Sequence, residues 1–181
     1  MEKEIRTPLI ERGIKKLKAG ERVFITGKIY TARDLAHKRF METISQKRKL
    51  PVNLKDQIIY YCGPTPAKPG NIIGSAGPTT SSRMDEMTGP LLALGLKGAI
   101  GKGQRDEKVL KMFKKHRAIY FVATGGAGAL LAQNIKAARV VAYPDLGPEA
   151  VYELEVYKFP VFVANDIYGN NIFKRRRIRE K

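Results

Sequence analysis

The chain has 181 residues, 43% of them hydrophobic, enough for the core of one domain and too many for a disordered tail or linker protein. Its 34 Lys and Arg against 17 Asp and Glu give a net charge of +17, which by itself points to a polyanion partner such as nucleic acid or an anionic membrane surface. A single cysteine excludes an internal disulfide and any zinc or iron–sulfur site built from several cysteines of this chain.

Taken in chain order, Thr7-Pro8 reads as a helix start, with Leu9, Ile10, Ile14 and Leu17 on one face and a stop at Gly20. Residues 23–30 are rich in β-branched and aromatic side chains and predict a strand. Arg33 to Ile44 predicts a helix with Ala36, Phe40 and Ile44 on one side. A strand at 57–61 runs into a Pro-rich stretch from Cys62 to Gly70 that suits neither helix nor central strand. A short strand at 72–76 precedes the run Gly77 to Ser82, and a helix follows from about Arg83 to Leu94. Strand 97–100, the turn Gly101-Lys102-Gly103 and a helix from Asp106 to about His116 come next. Strand 118–123 leads through Thr124–Gly128 into an apolar helix reaching Ala137. Strands at 140–142, 151–157 and 161–164 complete the chain. Alternating strands and helices predict an α/β layered domain. Without a linker between two cores, residues 1–181 read as one domain with an N-terminal helix (1–20) and a basic tail (174–181). The charges mixed through residues 1–20 show no signal peptide, and no run of 18 apolar residues predicts a membrane span. With the lone cysteine, this predicts a reducing, cytoplasmic location.

The positive charge sits in three blocks. Residues 1–55 carry +9, residues 97–117 carry +6 and residues 174–181 carry +5. The last block is either a nucleic-acid or localisation tail or a solvated terminus. Lys108, Lys111, Lys114 and Lys115 recur at helical spacing beside Val109 and Phe113, which predicts a helix with one wet face.

Three loops after strands are rich in Gly, hydroxyl or basic residues, and ligands of open α/β sheets bind beyond the carboxyl ends of strands. The run Thr79-Thr80-Ser81-Ser82-Arg83 combines hydroxyl donors, helix-start N–H groups and a guanidinium. It reads as a carboxylate clamp or as plain helix capping, which needs at most two of those hydroxyls. Lys102 between two glycines offers a cation where a ligand can come close, or is a surface turn. Thr124–Gly128 matches neither a P-loop nor G-x-G-x-x-G, and close packing explains it better. On a helix Arg33 and His37 would share a face at i, i+4, or they belong to a solvated basic helix start; a lone Cys62 in such a loop is ordinarily structural.

The run Gly77-Pro78-Thr79-Thr80-Ser81-Ser82-Arg83-Met84-Asp85 resembles the signature of the class I (iron–sulfur) fumarate hydratase and L-tartrate dehydratase family, in its β-subunit form. Arg33-Asp34 with Ala36-His37, Cys62-Gly63-Pro64, Ile100 to Gly103 and Gly147-Pro148-Glu149-Ala150 follow in that family's order, so the resemblance spans residues 20–173. It implies a swivelling-type β/β/α layered domain. It implies an α subunit whose three cysteines hold a [4Fe–4S] cluster, and an assembly such as α2β2. The implied reaction is hydration of fumarate to (S)-malate, or elimination from tartrate. By resemblance Thr79 matches the proton-abstracting residue, and Arg33, Arg83 and Lys102 match contacts to the substrate carboxylates. Thr80 and His37 are supporting candidates, and no metal ligand is expected in this chain. Ser82 stands where many relatives have Gly. A second reading, a basic nucleic-acid-binding module, lacks a stacking series of aromatics among the basic residues. A third, a stand-alone enzyme acting on sugar or nucleotide phosphates, would use the Gly-rich loops.

Overall fold

The computed structural model describes residues 3–174, so the basic tail, apart from Lys174, lies outside the described residues. The fold is mixed α/β. Among the described residues, seven strands occur in chain order: β1 (Lys3–Arg6), β2 (Arg22–Thr31), β3 (Ile58–Tyr60), β4 (Gly98–Gly101), β5 (Ile119–Val122), β6 (Ile135–Ala142) and β7 (Val151–Asn165). Strands β2, β3, β4 and β5 run parallel side by side. The long β7 then pairs antiparallel with β5 at one end and with β2 along most of its length. That second pairing closes β2-β3-β4-β5-β7 into a five-stranded barrel. Closure removes the edges that an open sheet would expose. Strand β1 adds to β2 in parallel, and β6 adds to β7.

The strands bury both faces, as parallel strands with helical cover do. Ile58, Tyr60, Ile100, Ile119 and Phe121 face one apolar cluster with Ile25, Ile29, Leu154 and Phe159. Their neighbours Ile59, Tyr61, Ala99 and Tyr120 face a second cluster. There they meet α2 (Asp34–Ser45), α3 (Asp85–Ala93) and α4 (Glu107–Lys115) through Phe40, Leu91, Leu92 and Phe113. Each such fully buried side chain stabilises the fold by about 1.5–3 kcal/mol. Helix α4 has the expected wet face: Val109 and Phe113 are buried, its lysines are exposed, and Asp106 caps it through the Lys108 amide at 2.7 Å.

Four expectations need correction. The helix at 7–19 is one turn only, α1 (Glu11–Ile14), with Ile10 rather than Thr7 before it. Gly13 weakens a longer helix, and after it Lys16 and Leu17 make only i→i−3 bonds. Residues 3–6 are instead drawn into pairing with β2, while Leu9, Ile14 and Leu17 keep their burial. The strand at 72–76 is irregular, because Thr65 folds back and pairs with Gly74 and Ser75. The apolar helix ends early: α5 is Gly128–Ala132, and residues from Ile135 pair with β7. The two last strands are one strand, β7, with an irregularity at Lys158 (φ 49°) rather than a break. For β1, β6 and β7 the reason is shared: pairing available in the sheet outweighs local propensity.

Candidate functional site

The turns after the parallel strands converge at one end of the barrel. Arg33 and Asp34 follow β2, Cys62 and Gly63 follow β3, Lys102 follows β4, and Gly125 follows β5. The Thr79 run is stitched among them. The Thr79 amide donates to the Tyr61 carbonyl at 2.7 Å, and the Lys102 amide donates to the Thr79 carbonyl at 3.1 Å. The Ser81 amide then donates to the Lys102 carbonyl at 3.0 Å, so Thr80 and Lys102 form a short parallel bridge. This approach is possible because residue 101 is Gly. A Cβ there would stand 1.9 Å from Ser81 Oγ.

The hydroxyls of this run do not cap a helix. Thr80 precedes a 3-10 turn (Ser81–Met84) without any side-chain capping bond, and Ser81 Oγ lies 2.8 Å from the Tyr120 hydroxyl. Capping therefore does not account for Thr79 and Thr80. Thr79 is half-buried, and Thr80, Ser82, Arg83 and Lys102 are exposed. The stem of Lys102 passes near Gly125, where a Cβ would lie 3.5 Å from its Cδ.

Two carboxylates organise the arginines. Arg83 Nε donates to Asp34 Oδ1 at 2.9 Å, and Arg33 Nε lies 3.8 Å from Asp34 Oδ2. Arg33 Nη2 lies 3.6 Å from Glu149 Oε1. The other Glu149 oxygen accepts the Leu35 amide at 2.8 Å and so caps α2 from across the fold. Arg33 Nε and Asp34 Oδ2 are buried with no hydrogen-bond partner. Arg33, Asp34, Arg83, Thr79 and Lys102 thus share one end of the barrel, with Arg83 and Lys102 reaching outward.

His37 is brought beneath this end. It is fully buried against Phe40 and Tyr61, and its Nδ1 donates to the Arg33 carbonyl at 2.8 Å. Burial pushes its pKa down to about 4, so the ring is neutral near pH 7. It contacts the backbone of Arg33 rather than the surface. Cys62 is also buried, and desolvation pushes its thiol up to about 12. Among the described residues, no three His, Cys, Asp or Glu side chains converge as a metal-holding group. The donors of this chain therefore do not fit an iron–sulfur cluster. Among those residues, no helix is long and apolar enough to cross a membrane.

Several participants escape sequence reading. In the sequence Asp34 is marked only as the neighbour of Arg33 in the Arg33-Asp34 motif, and Tyr61 and Tyr120 only as strand residues. Arg105 is a buried cation counted with the exposed basic residues of its block. A groove of about 670 Å³ between residues 65–75 and the α5–β6 segment carries none of the predicted site residues.

The sequence matches the family described as Fumarase C-terminus over residues 2–176. It is 41% identical to a Methanocaldococcus jannaschii protein named "Putative L(+)-tartrate dehydratase subunit beta", over 96% of this chain and 93% of that protein. It is 39% identical to the aerobic class I fumarate hydratase of Escherichia coli K12, over 88% of this chain but only 29% of that enzyme. The anaerobic enzyme of the same strain is 40% identical, over 85% of this chain and 28% of its own length. The chain thus spans nearly the whole of one relative and under a third of the others. It belongs to the Fumarase C-terminus family, among class I fumarate hydratases and tartrate dehydratase β subunits.

Proposed function

We propose that the chain is the β subunit of a two-subunit iron–sulfur hydro-lyase that interconverts fumarate and (S)-malate. In this reading Arg33, Arg83 and Lys102 bind the substrate carboxylates, Thr79 takes the C3 proton, and Thr80 supports the same loop. His37 acts only by holding the Arg33 backbone. The observation that carries the reading is the stitching of the Thr79 run to the Lys102 turn, beside two arginines bridged by Asp34. Guanidinium and ammonium groups suit a dicarboxylate, and they stabilise the charge that develops on a carboxylate when its neighbouring carbon is deprotonated. A threonine hydroxyl is a weak base, so Thr79 depends on those cations.

The relatives support a shared site. The E. coli enzymes are more than three times as long as the stretch matched here, whereas the M. jannaschii relative, named as a subunit beta, has about this chain's length. The rest of the machinery, including the [4Fe–4S] cluster, is assigned to an α subunit, with α2β2 as the assembly. The open position of Arg83 and Lys102 suits a surface that a partner covers. We further read residues 1–181 as one domain of the swivelling β/β/α type, with the closed barrel and its helical cover as the layers. The buried, unpaired Cys62 agrees with a cytoplasmic location. L-Tartrate dehydratase is the second reading, favoured by the end-to-end match to the M. jannaschii protein.

The test is co-expression with the α subunit, reconstitution with iron and sulfide, and assay against fumarate, L-tartrate and mesaconate. Turnover of fumarate supports the first reading and turnover of tartrate alone the second; turnover of none overturns both. Arg83→Ala and Lys102→Ala should each lose most activity while the chain stays folded. Full activity in both variants would overturn the site.

A further inference from the structure

Arg105 lies beneath the Thr79 run and the Lys102 turn, where the proposed function leaves it without a part. Its side chain is fully buried. Nε donates to Asp85 Oδ1, Nη1 to the Tyr61 hydroxyl at 3.0 Å and Nη2 to Thr88 Oγ1 at 2.8 Å. The guanidinium also lies 5.2 Å from the ring centres of Tyr61 and Tyr120 and 5.4 Å from that of Phe113. A buried charge persists only when paired and hydrogen-bonded, and this one is held on all sides.

Three of these partners, Tyr61, Tyr120 and Asp85, lead to different parts of the site. Tyr61, gripped at its hydroxyl, receives the Thr79 amide on its carbonyl. Tyr120, packed against the guanidinium, places its hydroxyl 2.8 Å from Ser81 Oγ and donates to the Gly103 carbonyl at 2.7 Å. Asp85 stands two residues after Arg83, and its second oxygen accepts the Asp106 amide at 2.8 Å, tying the end of the Lys102 turn to the start of α3. Three routes from one side chain thus reach Thr79, the Ser81–Arg83 turn and the Lys102–Gly103 turn.

We infer that Arg105 is a positioning residue that sets the mutual placement of Thr79, Arg83 and Lys102, an inference that rests on the dicarboxylate reading above for its catalytic consequence. The planar fork is essential to it. A lysine could keep the charge but could not address Asp85, Tyr61 and Thr88 together.

The experiment has two arms. In the full chain alone, amide hydrogen exchange is followed at Thr79, Ser81 and Lys102, whose N–H groups make the three bonds that join the loops. Arg105→Lys should speed exchange at all three while amides of β4 and β5 stay protected. Tyr120→Phe, which removes only a hydroxyl, should speed exchange at Ser81 and leave Thr79 unchanged. In the reconstituted pair with fumarate or L-tartrate, Arg105→Lys should lower kcat by at least about tenfold, since small misplacements of reacting groups are costly. A merely structural role would lower the melting temperature and leave exchange at the three amides, kcat and KM at wild-type values in the folded protein. That result overturns the inference, as does faster exchange with unchanged kinetics. If Arg105→Lys does not fold, Tyr120→Phe and Tyr61→Phe decide by the same two readouts. A wild-type pair that turns over neither substrate overturns the dicarboxylate reading instead, and the exchange arm still decides the positioning.

Discussion

Asp34 holds Arg83: the Nε of Arg83 donates to Oδ1 of Asp34 at 2.9 Å, while Oδ2 of the same carboxylate faces Arg33. One anion therefore sits between two cations proposed to bind a dianion. Arg83 is 52% exposed, so the pair is screened by solvent and adds at most about 1 kcal/mol to stability. Its effect on geometry is larger, because a free Arg83 samples many rotamers. Asp34→Ala should leave the melting temperature nearly unchanged and lower kcat/KM about tenfold, the cost of losing one oriented charge-assisted bond. Asp34→Asn, which keeps an acceptor for Nε, should retain more activity than Asp34→Ala. Equal kinetics for wild type and Asp34→Ala would show that the bridge orients nothing.

Gly63 gives an independent handle on Arg33. A Cβ at residue 63 would stand 2.9 Å from Cδ and Nη1 of Arg33 and 3.2 Å from the Pro148 carbonyl. The arginine is the flexible party, so it moves first. Gly63→Ala should raise KM for the dicarboxylate several-fold with a small loss of stability, read by steady-state kinetics beside a thermal melt. An unchanged KM in the folded variant would remove Arg33 from the binding site.

Cys62 tests the opposite expectation, that a residue inside a shared motif is only structural. With its thiol pushed up to about 12 by burial, Cys62 stays in the unreactive thiol form at pH 8. The folded chain should react with a maleimide far more slowly than the urea-unfolded chain. Cys62→Ala should retain most activity at a stability cost of about 1 kcal/mol. Rapid labelling of the folded protein, or loss of turnover in a folded Cys62→Ala, would give the thiol a functional part.

The sequence made the strands around the site legible because each is a short, strongly apolar run: residues 58–60, 98–101 and 119–122 emerge where the pattern sets them. Closure of the sheet was not legible. It depends on β7 reaching both β2 and β5, a long-range pairing that no local pattern encodes. The same cause hides β1, whose charged residues read as part of an N-terminal helix (1–20) until β2 offers them a partner. The exposed site residues stood out because hydroxyls, glycines and cations are clustered in Gly77–Arg83 and Gly101–Gly103. The supports beneath them did not, because Arg105 is one more cation in a basic block until its burial sets it apart. His37 is the intermediate case: its helix face was readable, its complete burial was not.

That burial makes His37 a source of acid sensitivity. Its folded pKa is about 4 against an ordinary value near 6.5, and the leading cause is desolvation of the charged ring. Between those values the unfolded chain binds a proton that the folded chain refuses, so stability rises with pH across this window and is lost as pH falls from about 6.5 toward 4. Below about 4 both states are protonated and the contribution levels off. A gap of this size corresponds to about 3 kcal/mol. The Arg33 carbonyl keeps its bond from the His37 backbone N–H whatever the side chain is, so the helix start survives replacement. His37→Leu, similar in volume, should therefore fold and should lack this component of the pH dependence. Urea unfolding at pH values from 4 to 7.5 would measure it as the difference in slope between wild type and variant. Parallel stability curves across pH 4–6.5 would mean that His37 titrates normally and that the buried, neutral ring is not its state in solution.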